Sequence, residues 1–500
     1  MTDSNNEYSK IVPKQQDYIL YSPLEKALLQ QKPTNAPARC EVKSTKKGVF
    51  HQILVTGAVL VLAAACGMPI GYSAVLLPQL YNSSEALRIG VEMGSWIASV
   101  HSLATPVGSF VSGSIADKFG RRATLLLSIL PLMGGWCMLA LSSSHVWILT
   151  GRIVAGLSVG LIGAPAQVLI AEIAEPYLRG ILVGAPFVSY SMGILFVYAL
   201  GSELHWRHVA WCGNILPILS GIGLLFIPES PIWLIRNGKT EKAAKALTFL
   251  RGDEMFAKRE MNMLIERYEQ EKAMTRSTDN FLKLCVERTA LKPLVIINVF
   301  NMLQILSGTF LVVFYAIDII STFGENIDSM KAAVTTAVVR LICTIIFCFL
   351  LLTMRRRSMI ITSGIGSGIS SIALWAFLLI RRGEPKTEID VYFPAACIIT
   401  YIAFNTGFLV MPGIMIGELL PAKIRGRVGG YIFALFNIVL FAVAKVFPLV
   451  HLTLRTEGLF LLFGSASIIS AGVLYLILPE TKGRTLGEIE DYFGQKNWLW

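Results

Sequence analysis

The chain is short of charge. Only 15% of its 500 residues are Asp, Glu, Lys or Arg, against roughly a quarter in a soluble globular protein. With 54% hydrophobic residues and a mean hydropathy of +0.60, the composition argues against a soluble enzyme. Catalytic signatures are also missing: there is no GxxxxGK(S/T) phosphate loop, no HExxH and no CxxC pair. ATP hydrolysis, zinc chemistry and dithiol exchange therefore have no sequence basis, and neither a cofactor nor a metal is implied. The eight cysteines, among them Cys66, Cys137, Cys343, Cys348 and Cys397, fall mostly in apolar runs, where free thiols packing as small hydrophobes are expected. Acidic charge is the scarcer sign, 33 residues against 44 basic ones for a net +11. No basic stripe interleaved with aromatics accompanies that excess, so a nucleic-acid partner is not indicated. Nor does a small-residue cleavage site precede the first apolar run, so no secretory signal peptide is expected.

What the chain has is apolar runs long enough to cross a bilayer, at about 20 residues each. Candidate spans lie near 51–77, 95–116, 123–143, 146–170, 180–202, 208–228, 293–321, 332–353, 358–380, 391–418, 427–450 and 457–478. The expected fold is an all-α polytopic membrane protein with a polar N-terminal tail (1–50), two six-helix halves (51–235 and 293–478), a linker (236–292) and a short C-terminal tail (479–500). Basic residues such as Lys118, Arg121, Arg122, Arg355–Arg357, Lys423, Arg425 and Lys482 fall in alternate connections, which predicts that these connections and both termini are cytoplasmic. Arg381, Arg382 and Lys386 run against this pattern, accompanied by Glu384, Glu388 and Asp390. The opposite side then carries Asn82-Ser83-Ser84, an N-glycosylation acceptor pattern. In the linker, Ala243, Ala246, Leu247, Leu250, Met261, Leu264, Ile265 and Tyr268 recur at helical spacing, predicting short amphipathic helices rather than a flexible tether.

An internal repeat carries the functional information. Glu172…Arg179-Gly180 follows the fourth span and Glu418…Arg425-Gly426 the tenth, at identical spacing. Pro228-Glu229-Ser230 ends the sixth span and Pro479-Glu480-Thr481 the twelfth. A third pair is worn: Asp117…Gly120-Arg121-Arg122 after the second span, but only Arg355-Arg356-Arg357 after the eighth. Two parallel halves around a cytoplasmic linker are the architecture of an alternating-access transporter, with its site between the halves near the midplane. Carboxylates and guanidiniums at helix ends can pair across the halves and separate when an inward gate opens. That gating role is expected of Asp117, Arg121, Arg122, Arg152, Glu172, Arg179, Glu229, Glu418, Arg425 and Glu480. Topogenic charge with ordinary surface pairing is the alternative. Gly120 and Gly180 suit tight turns, and Gly151, Gly156 and Gly160 suit close helix contact.

Read in order, GSIADKFGRR (113–122), GRIVAGLSVG (151–160), EIAEPYLRG (172–180), PESPIWL (228–234), QILSG (304–308), GELLPAKIRG (417–426) and PETKGRTLGEIE (479–490) resemble the sugar porter family of the major facilitator superfamily. Leu250-Arg251-Gly252 and the PAKIRG wording are most similar to its insect facilitated trehalose transporters. The resemblance implies a passive sugar carrier, with the lipid bilayer and a small-molecule substrate as its only partners and no obligate protein partner. It implies substrate contacts at Trp96, Phe187, Gln304, Ser307, Phe314, Tyr315, Asn405 and Pro412. Several of these are departures. The family's QQLSGIN reads here Gln304-Ile305-Leu306-Ser307-Gly308-Thr309-Phe310, which loses a glutamine and an asparagine. Its fifth-span glutamine falls on Phe187, and its tenth-span Pro-Trp on Pro412-Gly413. On the family pattern Leu352 replaces the acidic residue of the worn motif and Arg355 its glycine, which predicts a weaker inward-closed latch and a bias to inward-facing states. The first span, 57–80, contains no Asp or Glu, whereas the family's proton symporters use an acid there, so facilitated diffusion in the plasma membrane is expected.

Arg340 stands apart as a charge at membrane depth, a functional hypothesis by default. It is expected to hydrogen-bond a sugar, to bind an anionic substrate, or to pair with Asp318 or Glu418; snorkelling to water is the alternative. Lys445 reads as a helix-end cation. The competing readings of the chain are a carrier of another small solute, anionic or more apolar, and a sugar sensor that binds without turnover.

Overall fold

The computed structural model describes residues 45–81, 87–274, 288–315, 329–381, 389–420, 425–482, 489 and 492–494. Asn82, Asp318 and most of the two predicted tails lie outside the described residues, as do the side chains of Arg179 and Arg425. In hydrocarbon a backbone must satisfy its own hydrogen bonds, so apolar runs of this length become helices. They are α1 (Lys46–Tyr81), α2 (Val91–Phe119), α3 (Arg121–Ala140), α4 (His145–Ile173), α5 (Pro176–Gly201) and α6 (Trp206–Phe226). Short helices α7 (Pro231–Arg236), α8 (Thr240–Arg251) and α9 (Glu254–Met274) follow. The second set is α10 (Arg288–Leu306), α11 (Leu311–Phe314), α12 (Ser329–Thr353), α13 (Arg356–Ile380), α14 (Ile389–Leu419) and α15 (Arg425–Ile477). No strand occurs among the described residues, and ten of the helices are long and apolar enough to cross a membrane. α2 is equally long but more polar, and α15 is broken at Arg455 (φ 57°), between its two predicted spans.

α2 packs on α4, α3 on α4, α1 on α5 and α6, and α13 on both α14 and α15. Gly156 and Gly160 lie against the carbonyls of His101 and Thr105, so α4 approaches α2 to a distance that any Cβ would prevent. Gly156-Leu157-Ser158-Val159-Gly160 matches the GxSxG wording of a nucleophile elbow. It lies in mid-helix with the Ser158 hydroxyl donating to Ser128 O at 2.5 Å, and an elbow needs a strand-to-helix turn. The most extensive contacts between the earlier helices and the later ones are α2 against α15 and α5 against α12, with smaller ones of α1 on α11 and α5 on α14.

The linker is helical where the periodicity predicts it. Ala243, Ala246, Leu247, Ala257 and Met261 bury against Trp233, Leu234 and Ile235, with Leu264, Ile265 and Tyr268 at the edge. Arg251, unremarked in the sequence beyond its tripeptide, is the tie. It holds Glu260 by two bonds (2.5 and 2.7 Å), donates to Ile173 O at the end of α4 (3.1 Å), and its own carbonyl accepts from Thr45 at the start of α1.

Candidate functional site

The seventh span, read from the sequence as continuous over 293–321, is interrupted. α10 stops at Leu306, residues 307–310 form a turn, and α11 resumes at Leu311. Gly308 takes φ +85°, and a Cβ there would lie 2.8 Å from the Tyr401 hydroxyl and the Phe463 ring, so only glycine fits. The opened backbone is satisfied by side chains, as irregular structure at membrane depth requires. Tyr401 donates to Ser307 O (2.5 Å) and Thr309 to Asn405 Oδ1 (2.5 Å); the Ser307 and Thr309 hydroxyls are 3.0 Å apart. Arg340 on α12 reaches Thr309 O at 3.4 Å. From the earlier helices, Tyr198 on α5 donates to Val313 O on α11 (2.6 Å). A broken helix lined with polar groups, next to the contact between the two sets of helices, is where a transporter holds its cargo.

The candidate substrate residues divide. Gln304 is 3% exposed, and its amide makes no hydrogen bond with a described residue, which leaves it available to a ligand. Ser307 and Asn405, expected to face substrate, spend their polar groups on the turn instead. Phe314 is fully buried in the core, and Tyr315 donates to Ala444 O (3.1 Å) and stacks on Phe447 at 4.6 Å. Pro412 is buried within α14. Phe187 explains two departures together: its ring Cζ lies 2.5 Å from where a Gly413 Cβ would sit. The volume lost at 413 is filled from the other set of helices.

At the linker end, each set of helices carries the same closed cluster. Glu229 caps α3, accepting from the amides of Arg121 (2.9 Å), Arg122 (3.0 Å) and Ser230 (2.9 Å), and Glu480 caps α13 through Arg356 (3.0 Å) and Arg357 (3.2 Å). A carboxylate there satisfies orphan amides and faces the positive end of the helix. Arg121 pairs with Glu172 (3.3 Å), and Arg356 with Glu418 (3.2 Å). Ser230 binds Glu172 as Thr481 binds Glu418. Arg122 donates to Leu224 O and Leu225 O, as Arg357 does to Tyr475 O. Among the described residues every ion pair at this end lies within one set of helices, and the side chains of the other expected partners, Arg179 and Arg425, lie outside them. Arg356, absent from the candidates, is the counterpart of Arg121. The missing acid matters little, because Asp117 is 78% exposed in its pair with Arg121 while Leu352 is simply exposed. Gly120 takes φ +107° but Arg355 sits at φ −74°, so arginine is accommodated without strain.

Arg152 does not belong with that cluster. It is fully buried near the opposite end of α4, donating to Pro69 O, Ser73 Oγ (2.5 Å), Ile97 O (3.1 Å) and Ala98 O (3.4 Å). Its role is to bind α1, α2 and α4 together through neutral oxygens. Trp96, expected to line a cavity, is 38% exposed at the same end. Lys445 on α15 lies 4.2 Å from the Trp96 ring and donates to Ser95 Oγ (2.7 Å) and Glu92 O (3.5 Å), with Phe441 packed beside it. Lys445 thus clasps α15 to α2 rather than snorkelling.

The model of the family described as "Sugar (and other) transporter" matches residues 59–493. The chain belongs to this family. It is therefore an integral membrane transporter and not an enzyme. This transporter is similar to the facilitated trehalose transporter Tret1-2 homolog of Drosophila sechellia, 29% identical over 93% of this chain and 95% of the relative. It is also 28% identical to the facilitated trehalose transporter Tret1 of Culex quinquefasciatus, over 89% and 86%. The xylose transporter XylE of E. coli, solved in an inward-open conformation, shares its fold at TM-score 0.72 and 18% identity, over 88% of this chain and 99% of that one. The major facilitator fold expected from the motif order is thus established.

Proposed function

We propose that this transporter is an alternating-access facilitator that carries a sugar, trehalose or a hexose, down its gradient. The halves 51–235 and 293–478 would rock about the site, with both termini and the linker cytoplasmic, the α2–α15 clasp extracellular, Asn82 glycosylated and the plasma membrane as its location. The observation that carries the reading is the broken seventh span, beside which the Gln304 amide makes no hydrogen bond with a described residue. A sugar hydroxyl can both donate to and accept from such an amide. The full-length likeness to facilitated trehalose transporters supports the cargo class. The acid-free stretch 57–80 and the neutral oxygens around Arg152 support facilitation over proton coupling. The gating role of Glu172 and Glu418 becomes that of paired clusters with Arg121 and Arg356, each stiffening the cytoplasmic end of one half.

The test is radiolabelled trehalose and glucose uptake into proteoliposomes, with and without an imposed proton gradient. Saturable uptake indifferent to the gradient is expected, with Gln304→Ala raising half-saturation about tenfold. Uptake that requires the gradient refutes facilitation. Binding without accelerated counter-flow would make the protein a sensor.

A further inference from the structure

Arg340 is 7% exposed, near the middle of the 25-residue α12. The face of α12 that carries it meets α5: one turn on, Thr344 lies 3.4 Å from Ser191, and a turn further Cys348 reaches Gly184 O at 3.7 Å. The guanidinium therefore sits between the two sets of helices, at the break of the seventh span, within electrostatic reach of Tyr198 and Tyr401. Both tyrosine hydroxyls already donate to backbone carbonyls. The one hydrogen bond Arg340 makes among the described residues is the long one to Thr309 O. Glu418, an expected counter-ion, is held by Arg356 and Thr481.

Taking a guanidinium out of water is costly unless an anion and further acceptors compensate it, and at 7% exposure it does not snorkel. Its planar fork of donors matches a carboxylate in two parallel bonds, which a neutral hydroxyl cannot reproduce. The surrounding positions have lost groups that would grip a neutral sugar: Ile305 and Phe310 are buried hydrophobes, and Phe187 closes the Gly413 side. Gln304 remains to meet hydroxyls. We propose that Arg340 binds the carboxylate of the transported solute, and that the preferred cargo is a sugar acid carrying one carboxylate, of the hexuronate class. This rests on reading the chain as a carrier of sugar-sized solutes and specifies which of them it selects.

The probe is radiolabelled glucuronate against glucose and trehalose in proteoliposomes under an imposed membrane potential. The wild type is expected to prefer glucuronate by at least about tenfold, and an inside-positive potential should accelerate that uptake because charge moves with the anion. Arg340→Gln should lose glucuronate uptake while neutral hexose uptake persists or rises; Arg340→Lys, which keeps the charge, should retain part of it. Neutral sugar uptake with glucuronate ignored overturns this proposal and leaves the facilitator reading standing. Glucuronate uptake with neutral sugars silent supports it and narrows that reading. Silence toward all three defeats the facilitator reading. The proposal is then judged by thermal stabilisation of the purified protein by glucuronate: a shift present in wild type and absent in Arg340→Gln supports it, and no shift overturns it. The wild-type preference needs no variant, so misfolding of Arg340→Gln does not shield the idea.

Discussion

Replacing Lys445 by methionine should unlock the end of the molecule opposite the linker. The ammonium joins α15 to α2 by a 2.7 Å bond to Ser95 Oγ and by its place 4.2 Å from the Trp96 ring. A hydrogen bond to a charged group is worth about 1.5 kcal/mol and an exposed cation–π contact about 0.5–1 kcal/mol. Solvent screening at this half-buried site reduces the sum to about 1–2 kcal/mol. If the clasp exists only while this end is closed, losing it shifts the closed-to-open equilibrium about fivefold to thirtyfold toward open. Methionine keeps the apolar length, so packing on Trp96 is largely preserved. The assay is labelling of Ser99→Cys, one turn from Ser95 and buried, by a membrane-impermeant maleimide applied from the extracellular side. Cys137 and Cys212, near the same end, are replaced by serine in the background. Lys445→Met should raise the labelling rate by that factor, and Lys445→Arg, which restores the cation, should not. A labelling rate for Lys445→Met within about twofold of the parent would refute both the clasp and the magnitude assigned to it.

Three further perturbations follow from the linker-end clusters and the break. Glu229→Ala strips the acceptor from four backbone amides and should cost about 1–3 kcal/mol, read as a lower Tm of the detergent-purified protein; an unchanged Tm would deny the capping role. Leu352→Asp restores the family's missing acid yet should alter stability by less than about 1 kcal/mol, because the carboxylate of its counterpart Asp117 is 78% exposed, whereas Glu418→Gln, which breaks the Arg356 pair, should cost more in the same melt. Gly308→Ala places a Cβ at φ +85° against Tyr401 and Phe463 and should cost about 1–3 kcal/mol and depress uptake; full uptake with an unshifted melt would mean that the turn relaxes freely.

Much of the fold was legible because its signals are local. Apolar runs marked the spans, and the spacing of Ala243, Ala246, Leu247 and Leu250 marked a linker helix that the structure buries on Trp233 and Leu234. The repeat at Glu172 and Glu418 picked out residues that do form equivalent clusters. Which partner each one takes was not legible, since charge and spacing are compatible with pairing across the halves or within them. The seventh span shows the same limit: hydropathy continues through Ser307-Gly308, and nothing in a periodic reading signals that Tyr401 and Asn405, almost a hundred residues on, will satisfy an opened backbone.

The sequence by itself determined that the chain lives in a bilayer, where its long helices run, and which polar residues are too few and too regularly placed to be incidental. Those properties follow from each residue's own transfer free energy and from spacing along one segment. Only the tertiary structure decided that Arg152 binds three helices instead of gating, that Phe187 fills the space at Gly413, that Lys445 closes on Trp96, and that Arg340 stands between the two sets of helices with one long hydrogen bond. Each is a meeting of segments far apart in the chain, and the energy of such a meeting depends on close packing and desolvation, which exist only once the helices are assembled.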